Sequence, residues 1–298
     1  MRYAKGHGTG NDFIIVPDVD DQLELGPDVV RALCDRHAGI GADGVLRVVR
    51  TNSGPAPWFM DYRNADGSIA EMCGNGIRVY ALYLLEHGLA AGPEVAIATR
   101  SGVRTVRLEA DGALTVDMGP ASTGRPGWTL IGGRRYTGLA VNVGNPHLVC
   151  LIGKPLAGID LAGSPEVDPD AFPRGVNVEL ARVTGDHTLE MRVHERGSGE
   201  TMSCGTGAVA AAVAAAAAAG EWPAAGDVNW IVDVPGGRLT VAPSATASLL
   251  TGPAVIVAEG ETNSAWLKDP VVNDPVVTDP LVTDPVVTDT AVNAPVTA

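Results

Sequence analysis

The chain has 298 residues, of which 45% are hydrophobic and 4% aromatic, and its 35 acidic residues against 21 basic ones give a formal net charge of −14. This length supplies ample material for a buried core in one large domain or two ordinary ones, so folding does not need disulfide bonds. The acidic balance excludes the basic footprint typical of proteins that bind nucleic acids or anionic membranes, and leaves a small molecule as the expected ligand.

The N-terminal stretch, the longest apolar run and the cysteines indicate a cellular compartment. The stretch MRYAKGHGTGND at the N-terminus lacks the basic and then apolar pattern of a secretion signal, and the longest apolar run, from Ala208, is too short to cross a bilayer. We therefore expect a cytoplasmic protein with no membrane partner. Thiols are normally free in that compartment, and Cys34 and Cys150, which follow apolar runs, are predicted to be buried core residues.

Along the chain, two halves repeat the same landmarks in the same order. GND at 10–12 is matched by GNP at 144–146, GIGAD at 39–43 by GVNVE at 175–179, Cys73 by Cys204, and MGPA ending at 121 by TGPA ending at 254. The offsets are 134, 136, 131 and 133 residues. Unrelated coincidences would scatter more widely, so the pattern indicates an ancient duplication.

Each half also predicts the same order of secondary structure. Short runs such as FIIV, GVLRVV, HLVCLI, NVELARV and TLEMRVHE predict strands. Helical spacing in GIRVYALYLLEHGL predicts a helix that ends at Gly88, and the Ala-rich run from Ala208 predicts a second one, stopped by Gly220 and Pro223 and buried on all sides. Asp111-Gly112 predicts a hairpin turn, and RLTVAPSATASLLTG predicts a similar hairpin.

These elements predict a mixed α/β protein of the α+β type. We expect two domains related by a pseudo-twofold axis, each a mostly antiparallel sheet wrapped around a central apolar helix. Residues 1–118, with a return strand at about 253–267, form the predicted N-terminal half, and residues 119–252 form the C-terminal half. Residues 268–298 repeat Asp every five positions with Pro and Val, which predicts a disordered tail.

Cys73 and Cys204 are the candidate catalytic residues. Each precedes Gly-x-Gly and a predicted helix, so each thiol is expected beside unpaired backbone N–H groups, a setting that lowers a thiol pKa and that also holds a carboxylate. With both helix starts at one cleft, one thiol can act as base on one face of a carbon and the other as acid on the opposite face. The alternative is that both cysteines are small core residues, but this does not account for the Gly-x-Gly and the apolar run that follow each of them.

Six ordered blocks carry a family resemblance. They are KGHGTGNDFIIV, RHAGIGADGVL, YRNADGSIAEMCGNGIR, VNVGNPHLV, GVNVELARV and VHERGSGETMSCGTGAVAAA. Together they closely resemble the diaminopimelate epimerases, from about residue 5 to residue 207 with a weaker echo to about residue 260. The resemblance implies interconversion of LL- and meso-diaminopimelate in lysine and peptidoglycan precursor synthesis, by a homodimer that uses no cofactor and no metal.

The resemblance also implies roles for individual residues. Cys73 and Cys204 match the acid/base pair, and the two helix starts that hold the reacting carboxylate match Gly74 with Asn75 and Gly205 with Thr206. The positions that match substrate-contacting residues are Asn11, Asn64, Asn145, Asn177, Glu195 and Arg196. Amide groups, one guanidinium and one carboxylate suit a substrate with two zwitterionic ends. Without the resemblance, Asn11, Asn64 and Asn145 would be interpreted as turn residues.

One departure and several alternatives stay open. The family often carries Gln after the Asp of GIGxD, where this chain has Gly44, and a backbone or water contact is the expected replacement. Proline and hydroxyproline epimerases share the two-thiol logic but usually show CGHG at the first site, and the isomerases of phenazine biosynthesis replace the first thiol with a carboxylate. A redox module would join Cys73 and Cys204 in a disulfide, and a zinc site would need further ligands nearby.

Overall fold

The computed structural model describes residues 1–52, 54–223, 228–263 and 265–266. This part of the chain includes the helices α1 (Pro27–Cys34), α2 (Gly74–Glu86) and α3 (Gly205–Ala219). The predicted tail at 268–298 lies outside the described residues.

Strands form most of the remaining structure. The strands of the first half are β1 (Arg2–Gly8), β2 (Asn11–Pro17), β3 (Gly44–Arg50), β4 (Trp58–Asn64), β5 (Glu94–Thr99), β6 (Gly102–Leu108) and β7 (Leu114–Gly119). Those that follow are β8 (Ser122–Ile131), β9 (Arg134–Asn142), β10 (Pro146–Leu151), β11 (Glu166–Val167), β12 (Asn177–Gly185), β13 (Thr188–Glu195), β14 (Gly199–Thr201), β15 (Trp230–Val234), β16 (Gly237–Ala242), β17 (Ser248–Gly252) and β18 (Val255–Glu261).

The strand pairings repeat between the two halves. The first half runs β18-β1-β2-β3-β4-β5-β6-β7, and the second runs β8-β9-β10-β12-β13-β15-β16-β17. In the first order the parallel pairs are β2–β3 and β4–β5, and in the second they are β10–β12 and β13–β15. Counted from β18 and from β8, these are the third and fifth pairs of each order. The two series join where β7 pairs antiparallel with β17. The predicted mostly antiparallel α+β fold is confirmed, and the repeated order fits the predicted duplication.

Strand β18 is the last strand within the described residues. It leaves the second half after β17 and pairs with β1, with Tyr3 opposite Gly260. This pairing lies within the return strand predicted at about 253–267. The division into domains at 1–118 and 119–252 stays a prediction.

Helices α2 and α3 occupy the largest apolar cluster, enclosed by strands of both halves. In α3 the residues from Ala208 to Ala216 are all buried, as the uniformly apolar sequence predicts. This helix ends at Gly220, whose φ of 76° is the left-handed conformation that glycine adopts without strain. The predicted end of α2 is also close, because its last residue is Glu86 and Gly88 follows with a φ of 64°.

Two further observations complete the comparison with the sequence. Helix α1, which the sequence patterns do not predict, packs Val30 and Leu33 into a smaller cluster against β2 and β3. Cys34 and Cys150 are buried in apolar clusters, as expected for small core residues.

Candidate active site

Each candidate catalytic cysteine is the N-cap of a helix. Cys73 precedes α2 and Cys204 precedes α3, both with extended backbone, φ −136° and −125°. Each sulfur accepts a hydrogen bond at 3.4 Å from the backbone N–H three residues later, that of Gly76 or Gly207. The predicted position of both thiols at helix starts is therefore confirmed.

The two helix starts meet. A Cβ added at Gly205 would lie 3.1 Å from Cα of Gly74, so the first residues of α2 and α3 are in backbone contact. Ser203, the residue before the second cysteine, accepts a hydrogen bond at its carbonyl from Asn75 Nδ2 at 3.1 Å, and its hydroxyl accepts one from Thr9 at 2.8 Å. These contacts bring both cysteines to one place between the halves of the chain.

Two asparagines surround the first thiol. Asn11 Oδ1 lies 3.6 Å from the sulfur of Cys73 and accepts a hydrogen bond from Asn75 Nδ2 at 3.3 Å. Asn11 Nδ2 in turn donates to Asp43 at 2.6 Å. Asn75 is fully buried, and both ends of its side-chain amide bond to protein groups.

A chain of polar groups leads to the second thiol. Thr206 lies 3.5 Å from the sulfur of Cys204 through its hydroxyl, which accepts a hydrogen bond from Asn145 Nδ2 at 3.3 Å. Asn145 Oδ1 contacts His147 Nε2 at 2.9 Å, and His147 Nδ1 contacts Glu179 at 2.6 Å. The side chains of His147 and Glu179 are fully buried.

Glu195 faces the second thiol from the end of β13. Its carboxylate accepts a hydrogen bond from the Thr201 hydroxyl at 2.5 Å. Burial raises the pKa of Glu195, although hydrogen bonds from Thr201 and Cys204 act in the opposite direction.

Asn177 and Arg196 form a separate pair next to Glu195. Asn177 Oδ1 accepts a hydrogen bond from the backbone N–H of Arg196 at 2.9 Å. The exposed guanidinium donates from Nη1 to the carbonyl of Arg174 at 2.9 Å. The bond from Asn177 fixes the backbone of Arg196 just after β13, and the carbonyl of Arg174 orients the guanidinium, which stays exposed to a ligand.

Asn64 lies at the end of β4, opposite Gly44 in the neighbouring strand. Its Nδ2 donates to the Ser68 hydroxyl at 2.9 Å. A Cβ at Gly44 would lie 2.5 Å from the carbonyl of Arg63 and 2.8 Å from a ring carbon of Tyr62. The space that a longer side chain at position 44 would need is therefore filled by the strand and by the tyrosine ring.

Burial controls the ionisation of both thiols. It raises the pKa of Cys73 to about 11, helped by the charge of Glu195 and opposed by the N–H of Gly76. Burial, followed by the charges of Glu195 and Glu179, raises the pKa of Cys204 well above its ordinary value. The prediction that the helix starts lower the thiol pKa is wrong for the ligand-free protein, because removal from water outweighs the N–H hydrogen bonds.

Several residues at the site were missed from the sequence. Thr9 and Ser203 join the halves, and Arg78 and Glu179 place charges beneath the helix starts. The sequence carries a signal for Arg78 and Glu179, because each is a single charged residue in an apolar run, IRVYAL for Arg78 and VELA for Glu179.

Other kinds of site find no support in the residues described. All four cysteines are free thiols. Across 1–52, 54–223, 228–263 and 265–266, no group of three or more His, Cys, Asp or Glu residues is arranged to hold a metal ion. In the same part of the chain, no helix is long and apolar enough to cross a membrane.

Known proteins resemble the chain in sequence and in fold. The model of the diaminopimelate epimerase family matches residues 3–124 and 139–257. A diaminopimelate epimerase of Thermobifida fusca is 51% identical over 280 residues, which cover 90% of this chain and 100% of the relative, and one of Streptomyces coelicolor is 50% identical over 285 residues, covering 90% and 97%.

Solved structures with the same fold are more distant. A probable proline racemase from Agrobacterium radiobacter superposes with a TM-score of 0.65 at 14% identity, covering 88% of this chain and 93% of that one. A phenazine biosynthesis protein of the PhzF family from Bacillus anthracis gives 0.62 at 16% identity, covering 88% and 99%. These two likenesses concern the fold alone, whereas the family match and the relatives at about half identity place the chain, an isomerase, in the diaminopimelate epimerase family.

Proposed function

We propose that the chain interconverts LL-2,6-diaminopimelate and meso-diaminopimelate by a two-base mechanism in which Cys73 and Cys204 are the acid and the base. The observation that carries this proposal is the contact between the two helix starts, Gly74 against Gly205, with a cysteine as the N-cap of each helix. Two thiols at one place on two helix starts suit a carbon that must lose a proton on one face and gain one on the other.

The proposed reaction balances without any other reactant. A thiolate removes the α-proton, the C–H electron pair moves toward the α-carboxylate, and the second thiol delivers its proton to the opposite face of the carbon. The first cysteine ends as thiol and the second as thiolate. The N–H groups at the starts of α2 and α3 stabilise the charge that develops on the carboxylate.

The raised thiol pKa values fit this chemistry. An α-proton is a very weak acid, and a thiolate whose conjugate acid has a pKa of about 11 is a stronger base than an ordinary thiolate. Burial also keeps the second cysteine protonated, as an acid must be at neutral pH. A raised pKa also means that only a small fraction of either thiol is thiolate in the free protein. We propose that bound substrate changes this fraction.

The remaining candidate residues are proposed to bind the two ends of the substrate. Asn11 lies beside Cys73 and Asn145 beside Thr206, which supports the proposal that these amides contact the reacting centre. Glu195 is proposed to accept from an ammonium group, and Arg196 to hold a carboxylate. Asn64 at the end of β4 and Asn177 at the start of β12 complete the proposed set of substrate-binding residues.

No cofactor or metal enters the proposed mechanism, because the thiols and the backbone N–H groups supply the acid, the base and the charge stabilisation. A homodimer, a cytoplasmic location and the absence of nucleic-acid or membrane partners are part of the same proposal. They follow from the resemblance and from the acidic composition.

The direct test is incubation of the reduced protein with LL-diaminopimelate in deuterium oxide without added cofactor, followed by proton NMR and chiral separation. Solvent deuterium at one α-carbon together with meso product is expected. Protein alkylated by iodoacetamide is the control and should show neither. Exchange with proline or hydroxyproline, but not with diaminopimelate, would keep the mechanism and contradict the substrate, and no exchange with any of them would contradict both.

A further inference from the structure

A fully buried arginine lies beneath the start of α2. Arg78 has no exposed surface, yet a guanidinium stays charged at neutral pH and is costly to remove from water. Its Nη1 donates to the carbonyl of Gly74 at 3.0 Å, its Nη2 to Asn75 Oδ1 at 3.0 Å, and its Nε to the carbonyl of Pro253 at 3.4 Å. The guanidinium therefore bonds to the two residues that follow Cys73.

No carboxylate neutralises this cation within the described residues, since none of their ion pairs includes Arg78. Buried charges in folded proteins are usually paired. Burial lowers the pKa of Arg78 to about 10, and the negative charge of the nearby Cys73 thiolate acts in the opposite direction.

The surrounding backbone leaves room for the guanidinium. A Cβ at Gly8 would lie 3.2 Å from Nη2 of Arg78, and one at Gly252 would lie 3.4 Å from Cζ. The equivalent position in α3, five residues after Cys204, is Val209, which is buried and neutral. The chain thus places a cation under one helix start and none at the matching position of the other.

We propose that Arg78 is a positioning residue that acts as the buried counter-cation of the Cys73 thiolate. It fixes the side chain of Asn75, whose amide then joins Asn11 and Ser203, and it stabilises negative charge at the α2 start but not at the α3 start. This inference rests on the proposed two-thiol function, because it assigns one thiol as the more easily ionised member of that pair.

The other charged groups around the thiols act against ionisation. The charge of Glu195 on β13 acts on both thiols, and that of Glu179 on β12 acts on Cys204. Tyr62 on β4 is a neutral phenol, because burial raises its pKa well above its ordinary value. Arg78 is therefore the cation that distinguishes the environment of Cys73 from that of Cys204.

The test is the rate of iodoacetamide alkylation at each cysteine, resolved by mass spectrometry of peptides from ligand-free protein at about pH 8, where the rate follows the thiolate fraction. Arg78→Gln keeps a hydrogen-bonding amide and removes the charge, and Arg78→Lys keeps the charge. We expect Arg78→Gln to slow alkylation of Cys73 about tenfold or more, since a neighbouring charge shifts a pKa by about one unit or more. Arg78→Lys should retain most of the wild-type rate.

Cys204 in the same samples is the matched control, and its rate should change less than that of Cys73. Equal changes at both thiols, or a Cys73 rate in Arg78→Gln within about twofold of the wild type, would overturn the proposal. If thermal unfolding shows that Arg78→Gln does not fold, Arg78→Lys decides alone, because a comparable loss with the charge retained would also overturn it.

This experiment does not depend on turnover. A protein that keeps the contrast between the variants but forms no meso product would contradict the proposed function and leave the assignment of Arg78 intact. A protein that epimerises normally but shows no such contrast would contradict the assignment alone.

Discussion

The starts of α2 and α3 have the same backbone geometry but rest on different side chains. Beneath the first, a Cβ at Gly76 would lie 3.3 Å from both Phe13 and Leu46, two apolar side chains. Beneath the second, a Cβ at Gly207 would lie 2.8 Å from the carboxylate of Glu179.

Strand register shows that these positions correspond. Phe13 pairs with Gly44 in the parallel pair β2–β3, and His147 pairs with Asn177 in the parallel pair β10–β12. His147 thus occupies the place of Phe13. Two residues after Gly44 and Asn177, on the second strand of each pair, Leu46 and Glu179 correspond in the same way. The sequence match of GIGAD with GVNVE, which sets Asp43 against Glu179, is therefore three residues out of register.

The difference teaches that the repeated backbone fixes where the thiols lie, while the side chains beneath fix how easily each one ionises. The first thiol has an apolar floor and the guanidinium of Arg78, and the second has an ionisable pair and a neutral Val209. A symmetric frame with asymmetric charges suits a reaction in which one sulfur begins as thiolate and the other as thiol.

The first prediction removes either half of the comparison. Cys73→Ala and Cys204→Ala are each expected to lower epimerisation by about 10²- to 10⁴-fold, because each deletes a positioned acid or base. The measurement is the initial rate of meso product formation from LL-diaminopimelate. Cys34→Ala, which alters a buried thiol outside the site, is the control and should keep the wild-type rate. Full activity in either variant of the pair would contradict the two-base mechanism.

The second prediction separates the two starts. Gly205→Ala places a methyl group 3.1 Å from Cα of Gly74, so the helix starts must move apart. We expect kcat to fall by about 10- to 10²-fold, since small displacements of reacting groups are costly. Gly153→Ala is the matched control, because no heavy atom lies within 4 Å of a Cβ at that exposed glycine. Equal kinetics in the two variants would show that the contact between the helix starts does not matter.

Local sequence patterns predicted much of this arrangement, since each depends on neighbouring residues. The strands around FIIV and NVELARV, both helix starts and the left-handed end of α3 at Gly220 are examples. The side chain of Asn75, which bridges to Ser203, and the pairing of β7 with β17 depend on packing between distant segments. The sign of the thiol pKa shift was missed for the same reason, because desolvation is a property of the folded interior.

The third prediction measures the comparison directly as a pH dependence. Because the pKa of Cys73 is about 11 and that of Cys204 is raised well above its ordinary value, the alkylation rate of each thiol should rise with pH. The Cys73 rate should reach half of its plateau value near pH 11, and the midpoint for Cys204, which has no cation at the position that matches Arg78, should lie higher. Restricted access of iodoacetamide to a sulfur lowers the rate by the same factor at every pH and therefore leaves the midpoint of the curve unchanged. A lower midpoint for Cys204 would reverse the assignment of the more acidic thiol.

The last prediction weakens the contrast from the other side. Glu179 is fully buried, and its Oε2 makes no hydrogen bond among the described residues. Its charge is one of the causes that raise the pKa of Cys204. Glu179→Gln keeps the shape and the contact with His147 while removing the charge, so the pKa of Cys204 should fall.

The expected result is a rise of about two- to fivefold in the alkylation rate of Cys204 at about pH 9, less than one pKa unit because Glu195 and burial continue to act. Cys73, which does not face Glu179, is the internal control and should keep its rate. A slower reaction at Cys204 would mean that the buried carboxylate stabilises the thiolate through His147, Asn145 and Thr206. His147 and Glu179, the ionisable pair beneath α3, would then stabilise the thiolate of the second half, as Arg78 is proposed to stabilise that of the first.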